Sequence, residues 1–426
     1  TTGQLLIFRV SGGSILKITL LTLKNSLIFV LFFISIGEFL APISSNFAEN
    51  SRSDAIGNIS CGITEQVTGV FVKVATVAVY HFFYTHFSMF DVPHTWIMAI
   101  VLFVGVDFFY YWAHRFSHEI NLFWLGHVVH HQSEDYNLSV ALRQGSLQKL
   151  FTAFFYVPLA LFGFETEWFV YVGAFTTLYQ FWIHTEAIDK LPKWFEYIFN
   201  TPSHHRVHHG RNPKYIDKNH GGTFIIFDRW FGTFQAEEEK PTYGVTTPIN
   251  TFNAISAHIK PIQSLAKDWN AVSGFKNKLK LLFMPPGWLP KENGGMRFPP
   301  EITYLNDQKF IKTYSNKVSW YVLFQYTILL AGVAFFLFNY KHFSGLAAAG
   351  VASMILFHIL VIGQVLDQSL WANKLEYFRL LTLGFVAVSF LDFGQHQLII
   401  ASSLIFITLN AMWFSWIYSP QQTATI

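Results

Sequence analysis

Apolar runs of bilayer length alternate with short polar breaks along most of the chain. In the first half they fall at about 18 to 40, 64 to 86, 94 to 113, 148 to 163 and 167 to 184, and near the carboxy end at about 320 to 339, 345 to 365, 376 to 392 and 397 to 417. Each approaches the ~20 residues that a helix needs to cross a hydrocarbon core. The pattern predicts an all-α, multi-pass transmembrane helical protein. It divides the chain into amino-terminal membrane helices (1–100), a histidine-rich region (101–252), a linker segment (253–318) and a carboxy-terminal membrane block (319–426). The first run is broken by Lys24 and Glu38 and has no small-residue cleavage site, so it reads as an uncleaved membrane helix rather than a signal peptide.

Between Ala187 and Lys317 the apolar runs stop, and Lys, Arg, Asp, Asn, Pro and Gly become frequent. Lys190, Lys193, Arg206, Arg211, Lys214, Lys218 and Arg229, followed by lysines from Lys260 to Lys291, predict by the positive-inside rule that this segment is cytosolic. The prolines at 285, 286, 290, 299 and 300 mark a linker into the last block. Composition agrees with a membrane protein. Charged residues make up 13% of the chain, against roughly 25% in an average soluble domain, while 52% are hydrophobic and the mean hydropathy is +0.32. A dispersed net charge of +3 argues against a nucleic-acid partner. Cys61, the single cysteine, excludes an internal disulfide and a thiolate metal cage, so any metal must rest on imidazole and carboxylate.

Ten of the 18 histidines lie between His114 and His209. His114 and His118 are four apart and share one helix face, as do His127, His130 and His131 at positions i, i+3 and i+4. His205, His208 and His209 repeat the second pattern some 75 residues on. Imidazole binds first-row metals, and these eight side chains exceed what one ion accepts, so the count implies two metals. An isolated histidine on an apolar face is more often a core or surface residue, which is the reading for His81, His86, His94, His258, His342, His358 and His396. His184, at the end of the run YQFWIH, is a further candidate ligand. His204 is a loop ligand or a support for one, and His220, in NHGG, is a weaker candidate.

Two carboxylates stand beside this array. Asp107 lies seven residues before His114 at membrane depth, where an ionisable group is costly; it is a candidate to orient a ligating imidazole, with a helix-end residue facing headgroups as the alternative. Glu119 adjoins His118 and reads as a proton donor, a support for a ligand, part of a cofactor site, or a solvated charge. Glu134, Asp135, Asn137 and Arg143 follow the second cluster and are candidates to bind a headgroup or cofactor. The segment NHGGTFIIFDRWFGTF reads as a packing element that braces the third cluster.

The spacings HxxxH, HxxHH and HxxHH, with the strings DFFYYWAHRFSHEINLFWLGHVVHH, SEDYNLSVALRQ, LYQFWIHTE, NTPSHHRVHHGRN and DRWFGTFQAE, resemble the fatty acid hydroxylase and sterol desaturase superfamily over Val101 to Phe252. The resemblance implies a di-iron centre held by His114, His118, His127, His130, His131, His205, His208 and His209, and a contribution of Glu119 to activity. The nearest likeness is to members acting on ether lipids. It implies oxygen-dependent hydroxylation of the ether-linked carbon of an alkylglycerol, with tetrahydrobiopterin or a redox protein as electron donor. It also implies a lipid substrate reached from the bilayer, in the endoplasmic reticulum of a eukaryote or the inner membrane of a bacterium. His220 departs from it, standing where an aromatic residue is expected. The same ligands serve sterol or fatty acyl hydroxylases and desaturases. From other classes, a membrane metal transporter would need ligands lining a path through the bilayer, and a bis-histidine haem protein leaves most clustered histidines unexplained. His118-Glu119 lacks the second histidine of the HExxH zinc protease pattern.

Overall fold

The computed structural model describes residues 46–303, 305–389 and 397–417. Among them the chain is helical throughout, and the only sheet-like pairings are two isolated bridges, Phe199 with Phe224 and Gly210 with Tyr243. The run expected at 18 to 40 lies outside the described residues. Among the described residues four helices are long and apolar enough to cross a membrane, at Trp96–Glu119, Asn316–His342, Gly345–Leu366 and Gln397–Ile417, and a bent pair within Asn50–Phe87 makes a fifth candidate.

Helix α1 (Asn46–Phe87) begins 18 residues before the expected run and bends between Phe71 and Thr76. Helix α2 (Trp96–Glu119) starts where the Thr95 hydroxyl accepts the Met98 amide. It continues well past the predicted end, so one rigid rod carries both the apolar run and the first histidine pair. Ile120 alone, in extended conformation, separates it from α3 (Asn121–His131), and the two pack together as a hairpin. The run at 148 to 163 forms no single helix: it breaks into Gln148–Thr152, Ala153–Tyr156 and Val157–Leu161. Pro158 has no amide hydrogen to continue a helix, and Gly163 turns the chain with a left-handed φ of 99°. Its Leu159 and Ala160 still fill a core with Tyr80, Leu102, Val106 and Phe164. Helix α4 (Thr166–Trp182) then leads to His184.

After α5 (Pro202–His208), the polar segment folds into two amphipathic helices, α6 (Ala254–Ala271) and α7 (Phe275–Phe283). The Asn253 side chain caps α6 by accepting the Ile255 and Ser256 amides, and its own amide donates to the Leu360 carbonyl (3.0 Å). This approach requires a glycine opposite. A Cβ at Gly363 would lie 2.6 Å from the Asn253 Cα. The segment is thereby docked onto α9 (Gly345–Leu366) of the last block, which also contains α8 (Asn316–Asn339), α10 (Ala372–Ser389) and α11 (Gln397–Ile417).

Within that block, polar residues from four apolar helices meet. Arg379, 1% exposed, binds Glu376 (Nε to Oε2, 2.8 Å) and donates to Gln325 (2.9 Å), whose amide donates to Asn410 (2.6 Å). Tyr321 donates to Glu376, and His358 lies 3.2 Å from Arg379. Apart from the Asn410 amide, which donates to the Phe406 carbonyl (2.7 Å), these groups satisfy one another, which fixes the register of the four helices. Replacing Glu376 by Ala strands a buried guanidinium. It is expected to destabilise the block by about 3 kcal/mol or more, read as a lowered thermal midpoint in detergent; an unchanged midpoint contradicts the role given to this network.

Candidate metal centre

Four elements bring their imidazoles to one place. Helix α2 presents His114 and His118 from successive turns, and α3 presents His127, His130 and His131. His184 follows the last turn of α4, where its amide donates to the Phe181 carbonyl, and α5 with its capping residue presents His205, His208 and His209. All are buried.

The nine rings sort into two adjacent groups. His114, His118, His127, His131 and His208 form one, and His130, His184, His205 and His209 the other, with the facing nitrogens of each group within 4.8 Å of one another. The split crosses the sequence clusters. In α3 the i and i+4 residues join the five-histidine group and the i+3 residue joins the four-histidine group, while in α5 the assignment is reversed. On a helix, i+3 and i+4 point about 100° apart, so each helix reaches into both groups. The two groups therefore share α3 and α5 as common scaffolding.

Facing nitrogens are close. Nε2 of His127 lies 2.9 Å from Nε2 of His114 and 3.1 Å from that of His131; Nε2 of His184 lies 3.0 Å from that of His205 and 3.4 Å from that of His130. Two nitrogens bound side by side to a first-row ion at about 2.1 Å are separated by about 3.0 Å, so these spacings suit a shared cation. Nε2 of His118, His208 and His209 are buried with no protein partner. A buried nitrogen without a partner costs ~1–3 kcal/mol, and a metal is the chemistry that satisfies several at once. Burial, reinforced by the neighbouring imidazoles, lowers the pKa of His127, His131, His205, His208 and His209 well below its usual value, and burial brings His130 to about 4. Burial thus favours the neutral, metal-binding form of these six rings.

The outer nitrogens are held by acceptors that set the tautomer. Nδ1 of His130 faces the Arg143 carbonyl (2.8 Å) and Nδ1 of His184 the Gln180 carbonyl (2.7 Å). The five-histidine group draws three such acceptors from one loop: the Lys218 carbonyl for His208 (2.9 Å), the His220 carbonyl for His114 (2.8 Å) and the Asp217 carboxylate for His118 (3.4 Å). Asp217 and Asn219 take left-handed φ values of 56° and 57° to present these groups. Asn219 fastens the loop to the His204 and Gln235 carbonyls. Asp228, raised to about 6 by burial, accepts the His220 and Gly221 amides at 2.7 Å each.

Both expected carboxylates lie outside the groups. Asp107 accepts the Thr223 and Phe224 amides (2.7 and 2.8 Å), so it braces the same loop rather than an imidazole directly. Glu119 pairs with Arg115 (2.8 Å) at the half-exposed end of α2. His204 stands apart against Phe234. The His220 ring is fully buried beside His118 (5.0 Å between centroids) but belongs to neither group. Arg143, expected to meet a headgroup or cofactor, is buried behind α3, where it donates to Val129, Asn58 and Gln132 and lines a cavity with Asp54, Gln132 and Asp135.

The sequence profile described as Fatty acid hydroxylase matches residues 98–233, the stretch that carries all nine grouped histidines. Alkylglycerol monooxygenase of Homo sapiens is 42% identical over 340 residues, covering 77% of this chain and 74% of that protein. The chain belongs to the fatty acid hydroxylase family. Alkylglycerol monooxygenase of Xenopus tropicalis is 43% identical over 288 residues, covering 66% of this chain and 63% of that protein. The ornithine lipid hydroxylase of Rhizobium tropici is 32% identical over 171 residues, covering 38% and 49%. No solved structure matches. The chain is thus an oxygen-dependent hydroxylase by family, with membrane helices and buried histidine groups able to hold metal.

Two outcomes follow from this geometry. Replacing Asp228 by Asn sets an amide against one of two backbone donors and loosens the loop that orients three rings of the five-histidine group only. Metal affinity there should fall about 10–100-fold while the four-histidine group keeps its ion, seen as one tight and one weak site in a metal titration; two unaltered sites contradict the loop's role. The second outcome concerns acid. Unfolded histidine takes up a proton near pH 6.5 and folded His130 only near 4, so the unfolded state binds more protons between these values. Stability of the metal-free protein should fall as pH drops through that window, by about 1.4 kcal/mol per pH unit for each such histidine. A thermal midpoint that does not change between pH 7 and pH 5 contradicts neutral burial.

Proposed function

We propose that the protein is a membrane-bound di-iron monooxygenase that hydroxylates the ether-linked carbon of alkylglycerols. The observation that carries this reading is the pair of adjacent imidazole nests at the end of an apolar helix. His114, His118, His127, His131 and His208 hold one iron, and His130, His184, His205 and His209 the other. Imidazole suits iron, and these nine nitrogens would hold two such ions. When bound, the two irons supply the activation of dioxygen needed to oxidise an unactivated C–H bond.

The protein's part is to position and to shield. His114 stands 18 residues beyond Trp96, roughly 27 Å along α2, so the centre lies near the far edge of a hydrocarbon core ~30 Å thick. The flanking lysines and arginines favour the cytosolic edge, of the endoplasmic reticulum in a eukaryote or the inner membrane in a bacterium. There an alkyl chain can remain in lipid while its polar glycerol end reaches the metals. Asp107 acts as a positioning residue through the 217–224 loop. Glu119, next to His118 and partly exposed, handles protons at the rim.

A cavity of about 380 Å³ lies behind the second cluster, lined by Asp54, Gln132, Asp135, Arg143, Phe252 and Phe310. Its carboxylates and aromatic rings suit the donor-rich edge and flat ring of a reduced pterin. Arg143 links this cavity to the centre, since its carbonyl holds His130. The reaction consumes one dioxygen and two electrons from the pterin. One oxygen atom enters the substrate as a hemiacetal, which releases a fatty aldehyde, and the other leaves as water. The similarity to the alkylglycerol monooxygenases supports this substrate over a sterol or acyl chain.

The test is turnover of purified protein in lipid discs with an alkylglycerol, a sterol or an acyl lipid, under isotopically labelled dioxygen. The reading predicts labelled aldehyde from the alkylglycerol alone, dependent on reduced pterin and lost together with iron in His130→Ala. A labelled sterol or acyl product, or an iron-replete and active His130→Ala, contradicts it.

A further inference from the structure

Helix α7 has a face that nothing among the described residues covers. Its sequence, FKNKLKLLF, places Phe275, Leu279 and Phe283 along one stripe at i, i+4 and i+8. These side chains are 71%, 40% and 58% exposed, and Met284, directly after the helix, is exposed as well. The opposite side is occupied: Leu281 is buried with Val272 and Leu289 against Leu265, Trp269 and Trp288. At about 100° per residue, Lys278 falls on one edge of the exposed stripe, its ammonium 5.4 Å from the centre of the Trp269 ring, and Lys276 and Lys280 fall on the other. The helix contains no acidic residue. Glu292 accepts from Asn277 (3.0 Å), and Asp268 is paired with Arg297.

Position completes the argument. Asn121 donates its backbone amide to the Met284 carbonyl (3.0 Å) and its side-chain amide to the Leu281 carbonyl (2.9 Å). The last turn of α7 is therefore fastened two residues beyond the end of α2, a membrane-span candidate that finishes at Glu119. An apolar stripe bordered by lysines on both edges, held at the end of a span, matches a helix lying in the interface with its lysines at the headgroups.

We propose that α7 docks on the anionic leaflet of the membrane crossed by the chain's own spans, with Phe275, Leu279 and Phe283 in the acyl boundary and Lys276, Lys278 and Lys280 reading negatively charged headgroups. The inference rests on the spans and not on the metal chemistry. A lysine near an anionic surface strengthens association by about fivefold, so three make docking depend on lipid charge. Through Asn121, docking also fixes the start of α3, which carries three of the grouped histidines.

Cys61 is fully buried, so a cysteine at Phe283 offers one reactive thiol. Full-length Phe283→Cys, labelled with an environment-sensitive fluorophore, is placed in discs of phosphatidylcholine alone or mixed with phosphatidylglycerol, with brominated acyl chains as quencher. Quenching should rise at least severalfold with phosphatidylglycerol and fall with added salt. Adding Lys276→Glu, Lys278→Glu and Lys280→Glu should abolish the dependence on phosphatidylglycerol while bound metal is unchanged; should the triple variant not fold, Lys280→Glu alone should reduce it. A probe left unquenched in every lipid, or quenched equally with and without anionic lipid, overturns the proposal. Metal content, measured in the same samples, reports separately on the centre.

Discussion

Lone pairs on nine buried imidazoles point toward two small volumes, and that convergence is the constraint on which the rest of the architecture depends. Neutral nitrogens about 3 Å apart repel unless a proton or a cation lies between them. Where a carbonyl holds the single proton of a neutral ring on Nδ1, as for His130, His184 and His208, the facing Nε2 is a bare lone pair, and burial disfavours a second proton there. The fold thus sets up an unfavourable arrangement that metal turns into a favourable one, and links stability to metal content. The interleaving of α3 and α5 gives the two positions a common scaffold.

That constraint explains features otherwise expensive for a protein. Two non-glycine residues in left-handed conformation, a buried Asp228 and a membrane-depth Asp107 all serve one loop, and that loop holds the outer nitrogens of three rings. The four-histidine group is supported differently, by Arg143 behind α3 and by the end of α4. The two positions consequently differ in donor number and in support. Farther off, α6 is keyed into α9 through Asn253 and Gly363, so the carboxy-terminal block and the centre share a scaffold.

Much of the centre was legible in the sequence because helical spacing is local. The i, i+3, i+4 patterns placed eight histidines on common faces, and the end of an apolar run pointed to His184. How the rings divide between two groups was not legible, since that depends on how α3 and α5 face each other. The loop's role was only partly visible: the glycine-rich turn suggested bracing, but Asp107 meets Thr223 across more than a hundred residues. The polar network around Arg379 was hidden for the same reason. Gln325, Glu376, Arg379 and Asn410 each look like an isolated defect in an apolar run, and only packing shows them as one unit. The break at Pro158 was written in the sequence, where apolar length outweighed a missing amide hydrogen.

The most direct test is metal analysis of the purified protein combined with X-ray absorption at the iron edge. The account predicts two irons per chain, each in a nitrogen-dominated shell of imidazole character, with a second iron visible as a neighbouring scatterer. A single iron per chain, or iron bound chiefly through carboxylate oxygen, would contradict it.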